Sequence, residues 1–177
     1  VFGILRPADR DQVVAALRIA TCEGVPVYPV SGGKNWGLGS RVPPRDAVLI
    51  DLGRMNRILA FDEELAYVTL EPGVSFRQLH EHLALHGSAL MLSSTGGSPE
   101  GSVLANAIER GDGSGPNGDR SQHLAALEVV LGSGEVVHTG FDRFATTGAV
   151  APLHRSGVGP SLDGLFTQSR LGLVTRG

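Results

Sequence analysis

Hydrophobic and polar positions in the first half of the chain follow the spacing of amphipathic helices. Residues 9–24 place apolar side chains on one face, with Asp9 positioned to cap the helix and Gly24 to end it. Residues 75–86 repeat this pattern behind a capping Ser75. Both segments are therefore predicted to be helices that pack their apolar faces against a core.

Short apolar runs rich in β-branched residues predict strands between and after these helices. They occupy residues 25–30, 47–52, 88–92, 126–140 (two strands and a turn) and 171–175, together with a hairpin over residues 57–71. The mixture predicts an α+β fold with two small sheets flanked by helices. Residues 1–92 are expected to form a first lobe and residues 93–177 a second.

A glycine-rich stretch, PVSGGKNWGLGS at residues 29–40, continues one of the predicted strands. Glycine tolerates positive φ and lets an anion approach the main chain, so such a turn can hold a phosphate group. The alternative is a glycine-rich surface turn. A second cluster, GSVLANAIERGDGSGPNGD at residues 101–119, favours a ligand site with two walls.

Neither of the two common nucleotide motifs is present. A Walker A loop requires glycine five positions before its Gly-Lys pair and Ser or Thr after it, where this chain has Tyr28 and Asn35. A dinucleotide fingerprint requires a glycine three positions after G-x-G, where this chain has Val42 and Pro116. A phosphate site of the Walker or Rossmann type is therefore not predicted.

Composition excludes several classes of protein. The chain has 177 residues, 41% of them hydrophobic, which suits one domain or slightly more. A net charge of −3 gives no reason to expect nucleic acid or anionic membranes as partners, and no apolar run reaches the ~18–20 residues of a membrane span. A single cysteine, Cys22, excludes an internal disulfide and favours the cytoplasm. The start at Val1 and the strand-like end suggest a piece of a larger polypeptide.

The order of these motifs resembles one flavoprotein family, the FAD-binding domain of the vanillyl-alcohol oxidases and p-cresol methylhydroxylases. The matching pieces are PVSGGKNWGLGS, LEPGVSFRQLHEHL, NAIERGDGSGPNGD, LEVVLGSGEVVHTG and GPSLDGLFTQSRLGLVTRG, in the family's order over about residues 5–177. The resemblance implies that FAD lies between the two lobes. It also implies a separate substrate or cap domain, which these residues do not include.

The resemblance implies two sets of FAD contacts. The pyrophosphate set comprises Val30, Ser31, Gly32, Gly33, Lys34, Asn35 and Gly37. The second wall comprises Pro72, Gly73, Gly101, Ser102, Asn106, Glu109, Arg110, Gly111, Gly118, Asp119 and Val174. Some related flavoproteins have, in place of Lys34, a histidine bonded covalently to the flavin, so this loop is expected to hold FAD non-covalently.

Parts of the second wall also have purely structural explanations. Glu109 and Arg110 are adjacent, so a solvated ion pair is the alternative to cofactor contact. Pro72-Gly73 is first of all a turn into the second helix, with cofactor contact in addition. Gly101 and Ser102 are expected to begin a short helix whose N-terminus can face the anion or the flavin ring.

Glu100 is the predicted catalytic base, since the resemblance places an acid near residues 97–101 and Glu100 is the only carboxylate there. An exposed surface loop is the alternative. Phenol-oxidising members carry GYTPYGDH where this chain has GSGPNGDR, so Ser114 and Asn117 replace two tyrosines and Arg120 replaces a histidine. A different substrate, the use of cap residues and a loss of activity all stay open.

The function implied is that of an FAD-dependent oxidoreductase, or its cofactor-binding portion, acting on small alcohols, phenols or hydroxy acids by hydride transfer to flavin N5. Its partners would be a small-molecule substrate and oxygen, a cytochrome or another electron acceptor, and a homodimer stays open. The alternative is a non-catalytic or truncated nucleotide-binding or assembly module of the same fold. His82 and His86 have helical zinc spacing but no evident third ligand, so no metal site is predicted.

Overall fold

The structure is a computed structural model that describes residues 1–35, 41–93, 95–113, 115–144 and 153–177. In chain order its helices and longer strands are β1 (Gly3–Leu5), α1 (Arg10–Cys22), β2 (Val27–Val30), β3 (Val48–Asp51), β4 (Ile58–Asp62), β5 (Tyr67–Leu70), α2 (Phe76–Leu85), α3 (Val103–Ile108), β6 (Glu128–Leu131), β7 (Val136–His138) and β8 (Gly172–Arg176). Short 3₁₀ turns lie at Leu52–Arg54, Gly115–Asn117, Arg120–His123, Asp142–Phe144 and Asp163–Leu165.

Both longer helices begin at the caps that the sequence predicts. The Asp9 carboxylate accepts a hydrogen bond from the Gln12 N–H at 2.9 Å, and the Gln12 side chain in turn accepts one from the Ala8 N–H. Ser75 Oγ accepts from the Gln78 N–H at 3.1 Å. These bonds satisfy N–H groups that have no partner inside the helix, which is why the helices begin there.

The described residues form three small sheets, and the α+β class is confirmed. Strands β1, β3 and β2 make a parallel sheet with β3 in the middle. Strands β4 and β5 form an antiparallel hairpin, and β7, β6 and β8 form an antiparallel sheet with β6 in the middle. There is one sheet more than expected, because the turn at Leu52–Arg54 separates β3 from the hairpin.

One predicted strand, over residues 88–92, is wrong, since no strand is formed there. Ser88 Oγ donates to the Glu63 carboxylate, and the Ala89 N–H donates to the same carboxylate at 3.2 Å. The Leu90 N–H bonds back to Ser88 Oγ at 3.1 Å. Side-chain acceptors therefore take the backbone donors that a neighbouring strand would otherwise bind.

The antiparallel sheet separates two apolar clusters. Because successive strand residues point to opposite faces, Val129 packs in one cluster with α2 and α3, while Val130 packs in the other with α1 and β3. Val174 and Leu173 of β8 divide in the same way. Both clusters draw on residues from each half of the chain, and the division into lobes at residues 92/93 stays a prediction.

The end of β8 is tied to the hairpin. The backbones of Leu70 and Gly177 exchange two hydrogen bonds, of 2.9 and 3.2 Å. This pairing holds β5, and the Pro72-Gly73 turn that follows it, against the sheet that carries β6. Among the described residues, no helix combines the length and the apolar character needed to cross a bilayer.

Candidate cofactor-binding site

The first glycine loop leaves the carboxyl end of β2, the edge of a parallel sheet at which ligands commonly bind. Gly32 and Gly33 have φ values of +67° and +63°, which side chains rarely tolerate. The Gly33 N–H donates to the Ser31 carbonyl at 2.7 Å, so the turn is tight. Lys34 is exposed beside it.

The remaining members of this set lie at the two ends of the loop. Val30 closes β2 and is half-buried, while Asn35 is exposed. Gly37 lies outside the described residues. The loop therefore offers main-chain groups with a cation at hand, as the sequence predicts for a phosphate site, and the contacts themselves stay predictions.

A second cation beside this loop, Arg41, is missed by the sequence reasoning. Its guanidinium lies 3.5 Å from the Gly32 carbonyl and 3.4 Å from an Asp51 carboxylate oxygen. A Cβ added to Gly33 would meet Arg41 Nε at 2.9 Å. The signal available was an arginine just beyond a glycine loop, but only the fold brings its side chain back to residues 32 and 33.

The structure brings the two glycine clusters together. A Cβ added to Gly32 would lie 3.5 Å from the Glu100 carbonyl, so the loop after β2 borders the turn that precedes α3. That turn is closed by the Gly101 N–H, which donates to the Ser98 carbonyl at 2.8 Å. The predicted two-walled arrangement thus has its walls in contact at this point.

The start of α3 is built into the second wall. Ser102 Oγ accepts from the Ala105 N–H at 3.0 Å, which confirms the predicted helix start, and donates to the Pro72 carbonyl. The Phe76 N–H donates to the Gly101 carbonyl at 3.0 Å. The beginnings of α2 and α3 therefore meet around Gly101 and Ser102.

Gly73 has a structural role in this wall. A Cβ there would meet the carbonyl oxygens of Met55, Gly53 and Leu52 at 2.6, 2.8 and 2.9 Å. Its own N–H donates to the Met55 carbonyl at 2.7 Å. Packing against this backbone accounts for the glycine, in agreement with the predicted turn into the second helix.

Asn106 and Gly111 interlock at the far end of α3. A Cβ on Gly111 would lie 2.3 Å from the Asn106 side-chain amide, so only glycine leaves room for that amide. The Gly111 N–H donates to the Asn106 carbonyl at 2.7 Å. Asn106 Oδ1 is buried and has no hydrogen-bond partner within the part of the chain that the structure describes. A buried acceptor without a donor is a point at which a ligand N–H or O–H can bind.

Arg110 forms an ion pair with Asp119 at 3.2 Å, so the Glu109–Arg110 pair considered as an alternative is wrong. Glu109 is exposed, and its carbonyl accepts from the Gln168 side chain at 3.2 Å. Bonds from Ser121, its hydroxyl above all, and from Arg110 lower the pKa of Asp119 to about 2. Asp119 is therefore charged at neutral pH and ties two ends of the wall together.

The last two predicted contacts occupy different environments. Gly118 closes a turn in which its carbonyl accepts from the Gly113 N–H at 2.7 Å. The Val174 side chain is buried in the apolar cluster with Leu104. A flavin contact at Val174 would therefore have to come from its main chain.

Glu100, the predicted base, lies on the surface of the turn. Its side chain is 49% exposed and forms an ion pair with the Arg77 guanidinium, which raises the pKa of Arg77. The Arg77 N–H donates to the Pro99 carbonyl at 2.8 Å, so α2 holds this turn through both backbone and side chain. To accept a proton, the carboxylate would have to give up part of its contact with Arg77.

Arg120 is a second residue whose position the sequence does not predict. It is only 6% exposed, and its guanidinium carbon lies 4.7 Å from the centre of the Phe76 ring. Nη1 donates to the Ser93 carbonyl, and the backbone N–H donates to the Gly111 carbonyl at 3.1 Å. A cation thus lies inside the second wall, between α2 and the Asn106–Gly111 contact.

A cleft of about 240 Å³ is lined by a different set of residues, and its charges are already paired. Arg57 and the buried Glu71 form an ion pair of 2.7 Å on its lining. Glu128, also buried, is paired with Arg10 at 3.6 Å and with Arg176 at 3.8 Å. These pairs neutralise one another, so the cleft offers no unpaired arginine to a ligand.

The sequence model of the family described as "FAD binding domain" matches residues 3–140. The chain is 57% identical over 98% of its length to 1'-carboxy-chondrochloren decarboxylase of Chondromyces crocatus, covering 32% of that protein. It is 34% identical over 94% of its length to the 4-cresol dehydrogenase [hydroxylating] flavoprotein subunit of Pseudomonas putida, covering 32% of it.

Among solved structures, 4-ethylphenol oxidase from Gulosibacter chungangensis, in its isoeugenol complex, superposes with a TM-score of 0.92 at 38% identity. The match covers 98% of this chain and 34% of that one. The chain thus spans about a third of the length of the relatives that it matches, and the resemblance to p-cresol methylhydroxylase-type flavoproteins is confirmed.

The residues present fit FAD. Two glycines at positive φ and two nearby cations, Lys34 and Arg41, suit a pyrophosphate carrying two negative charges. In the other wall, the buried and unpartnered Oδ1 of Asn106 suits a ligand with hydrogen-bond donors. Among the residues that the structure describes, the carboxylates of Asp51, Glu100 and Asp119 are each paired with an arginine. None of these three therefore presents an unpaired negative charge to the phosphates.

Proposed function

The chain belongs to the FAD-binding domain family, and from this premise we propose that it is the cofactor-binding portion of an oxidoreductase that oxidises a small alcohol, phenol or hydroxy acid. The observation that carries the proposal is the contact between the two glycine clusters. The position of a Cβ on Gly32 lies 3.5 Å from the Glu100 carbonyl, and this proximity supports one site formed by the glycine loop and the turn that carries the predicted base.

The chain's own residues have two tasks in this proposal. Ser31, Gly32 and Gly33 hold the pyrophosphate through the main chain, while Lys34 and Arg41 balance its charge. The second wall, from Pro72-Gly73 through Asn106 to Asp119, fixes the rest of the cofactor. FAD, when bound, supplies the acceptor for a hydride from the substrate.

Glu100 would remove the proton that the substrate loses as it is oxidised. Its ion pair with Arg77 orients the carboxylate, and a general base must be positioned before it acts.

The substrate and the electron acceptor are proposed from the names of the relatives. 4-Cresol dehydrogenase and 4-ethylphenol oxidase are named for phenols, and the first of them is a flavoprotein subunit. A phenol or a comparably small alcohol is accordingly proposed, with electrons passing to oxygen, a cytochrome or another acceptor. A homodimer and a cytoplasmic location belong to the same proposal.

The test is anaerobic reduction of the FAD-loaded protein, using the 177-residue chain and, in parallel, the complete reading frame that contains it. 4-Cresol, 4-ethylphenol and D-lactate are added, and the loss of the flavin's visible absorbance is followed. Glu100→Gln is expected to slow reduction roughly 10²-fold or more. Glu135→Gln, at an exposed glutamate outside the site, is the matched control and should reduce at the wild-type rate.

Failure of every compound to bleach the flavin in both proteins would contradict the proposal and favour a non-catalytic nucleotide-binding module. Equal rates for wild type and Glu100→Gln would remove Glu100 as the base while leaving the oxidoreductase proposal in place.

A further inference from the structure

Arg120 is a buried cation without a counter-ion. Its residue is 6% exposed, and none of the ion pairs formed among the described residues includes it. Burial alone lowers the pKa of its guanidinium, with no contribution from a neighbouring charge. Arginine nevertheless stays protonated in proteins, so the site carries a positive charge that the described residues do not neutralise.

The guanidinium also has unused hydrogen-bonding capacity. Only Nη1 has a hydrogen-bond partner among the described residues, the Ser93 carbonyl, and Nε is buried with none. Nε and Nη2 form one edge of the guanidinium, and this edge binds a carboxylate through two parallel hydrogen bonds. Ser93, which contacts Arg120, has a hydroxyl that is likewise buried and has no partner in the described ranges.

The contacts already present do not account for this arrangement. The Phe76 ring, 4.7 Å from the guanidinium carbon, supplies a cation–π contact, and the Ser93 carbonyl accepts one hydrogen bond. Together they support the side chain. They leave its charge without a counter-ion, and Nε and Nη2 without hydrogen-bond partners, among the described residues. An unpaired buried charge is costly, and buried groups without partners mark places where a ligand binds.

Arg120 and the phosphate loop contact different parts of the second wall. Arg120 packs against Phe76 of α2, whereas the phosphate loop borders the Glu100 carbonyl in the turn before α3. The pyrophosphate would be served by Lys34 and by Arg41, which contacts the loop at the Gly32 carbonyl. An anionic group other than the pyrophosphate would therefore supply the counter-ion that Arg120 lacks among the described residues.

We propose that Arg120 binds a carboxylate of the substrate, with the Ser93 hydroxyl as a second donor. The inference rests on the proposed function for the presence of an FAD site and extends it by giving the substrate a negative charge. It assigns Arg120 a role in substrate selection, separate from the pyrophosphate contacts and from proton removal by Glu100.

The test compares benzoate with benzamide, a neutral compound of nearly the same shape, on the FAD-loaded 177-residue chain. Binding is measured by calorimetry and by the change in the flavin's visible spectrum, with no turnover required. Wild type is expected to bind benzoate in preference to benzamide. Arg120→Gln should weaken benzoate binding roughly 10- to 100-fold, because a charge-assisted bidentate contact is lost.

Two further variants keep the test decisive. Arg120→Lys retains the charge without the planar fork, so it should bind benzoate more weakly than wild type but better than Arg120→Gln. It also serves if Arg120→Gln does not fold. Arg54→Gln is the matched control, because Arg54 is exposed and likewise donates to a backbone carbonyl, that of Arg6 at 3.0 Å. Its benzoate affinity should equal that of wild type.

Three results would overturn the inference. They are absence of saturable benzoate binding to wild type, equal benzoate affinity in wild type and the folded Arg120 variants, and a loss of FAD affinity in Arg120→Gln as large as the loss of benzoate affinity. The last would mean that Arg120 serves the cofactor. Because none of these readouts needs substrate oxidation, the inference can fail while the proposed oxidoreductase activity stands, and the reverse.

Discussion

The two walls of the site use glycine for different reasons. In the loop after β2, a side chain at Gly32 would meet only one backbone atom, at 3.5 Å, and one at Gly33 would meet the flexible Arg41 side chain. In the other wall, Gly73 faces three carbonyl oxygens within 2.9 Å and Gly111 faces the Asn106 amide at 2.3 Å. The first wall keeps backbone open to a ligand, whereas the second is closed by its own packing.

Glycine is therefore required in this site for two separate physical reasons. At Gly32 and Gly33 the requirement is conformational, since both have positive φ. At Gly73 and Gly111 no positive φ is involved, and the requirement is space. Substitution of Gly32 or Gly33 should therefore chiefly change ligand affinity, whereas substitution of Gly73 or Gly111 should chiefly change stability.

The largest effect is expected from Gly73→Ala. The added Cβ would overlap three backbone oxygens that cannot move independently, so the free energy of unfolding should fall by about 3 kcal/mol. Chemical denaturation measures this value. Gly164→Ala, where a Cβ meets nothing within 4 Å, is the control and should change stability by less than about 0.5 kcal/mol. Equal stabilities for the two variants would refute the packing role of Gly73.

The next effect is expected from Gly33→Val. Valine would fill the space needed by the pyrophosphate, and FAD affinity should fall roughly 10- to 100-fold. Gly24→Val is the matched control, since Gly24 has φ +62° against +63° for Gly33 and lies in open space after α1. Both variants should lose similar stability from backbone strain, so only a difference in FAD affinity supports the placement of the loop. Equal FAD affinities would exclude it.

The smallest effect concerns Asp119, whose pKa is lowered chiefly by the Ser121 hydroxyl, from 3.8 to about 2. A carboxylate whose pKa is lowered by folding stabilises the fold above its unfolded pKa, and this contribution is lost as pH falls from about 4 to about 2. Ser121→Ala should raise the pKa of Asp119 toward its ordinary value, which carboxyl NMR titration measures.

The control for this titration is Ser133→Ala, which removes a comparable hydroxyl from Glu135. It should leave the Asp119 titration unchanged. A low Asp119 pKa that survives in Ser121→Ala would show that the hydroxyl is not its chief cause, which would leave the Ser121 backbone N–H, Arg110 and Gln122 as the groups that lower it.

Local features of the fold were predictable from the sequence because they depend on neighbouring residues. Each of the capping residues Asp9, Ser75 and Ser102 accepts a hydrogen bond from the backbone N–H three residues later in the chain. The failed strand at residues 88–92 shows the opposite case. There the Ser88 hydroxyl and the Ala89 N–H bond to Glu63, a residue of the hairpin turn, and nothing in the local pattern encodes that contact.

The candidate site likewise has local features, which the sequence predicts, and long-range contacts, which it does not. Its glycine clusters and their order are visible in the sequence, and the fold brings Gly32 beside Glu100, while the FAD contacts of the two walls stay predictions. The cations Arg41 and Arg120 were not predicted, because long side chains reach the site only after distant segments pack. The pairing of Arg110 with Asp119 instead of Glu109 is a tertiary outcome of the same kind.

The central claim is that the loop after β2 and the turn before α3 together hold FAD. Its most direct test is a titration of the purified 177-residue chain with FAD, following flavin fluorescence and then displacement by ADP. We expect saturable binding at one site, competition by ADP, and weakening by Gly33→Val but not by Gly24→Val. A folded chain that binds no FAD, or binds it equally well in both variants, would show that these two segments do not hold the cofactor.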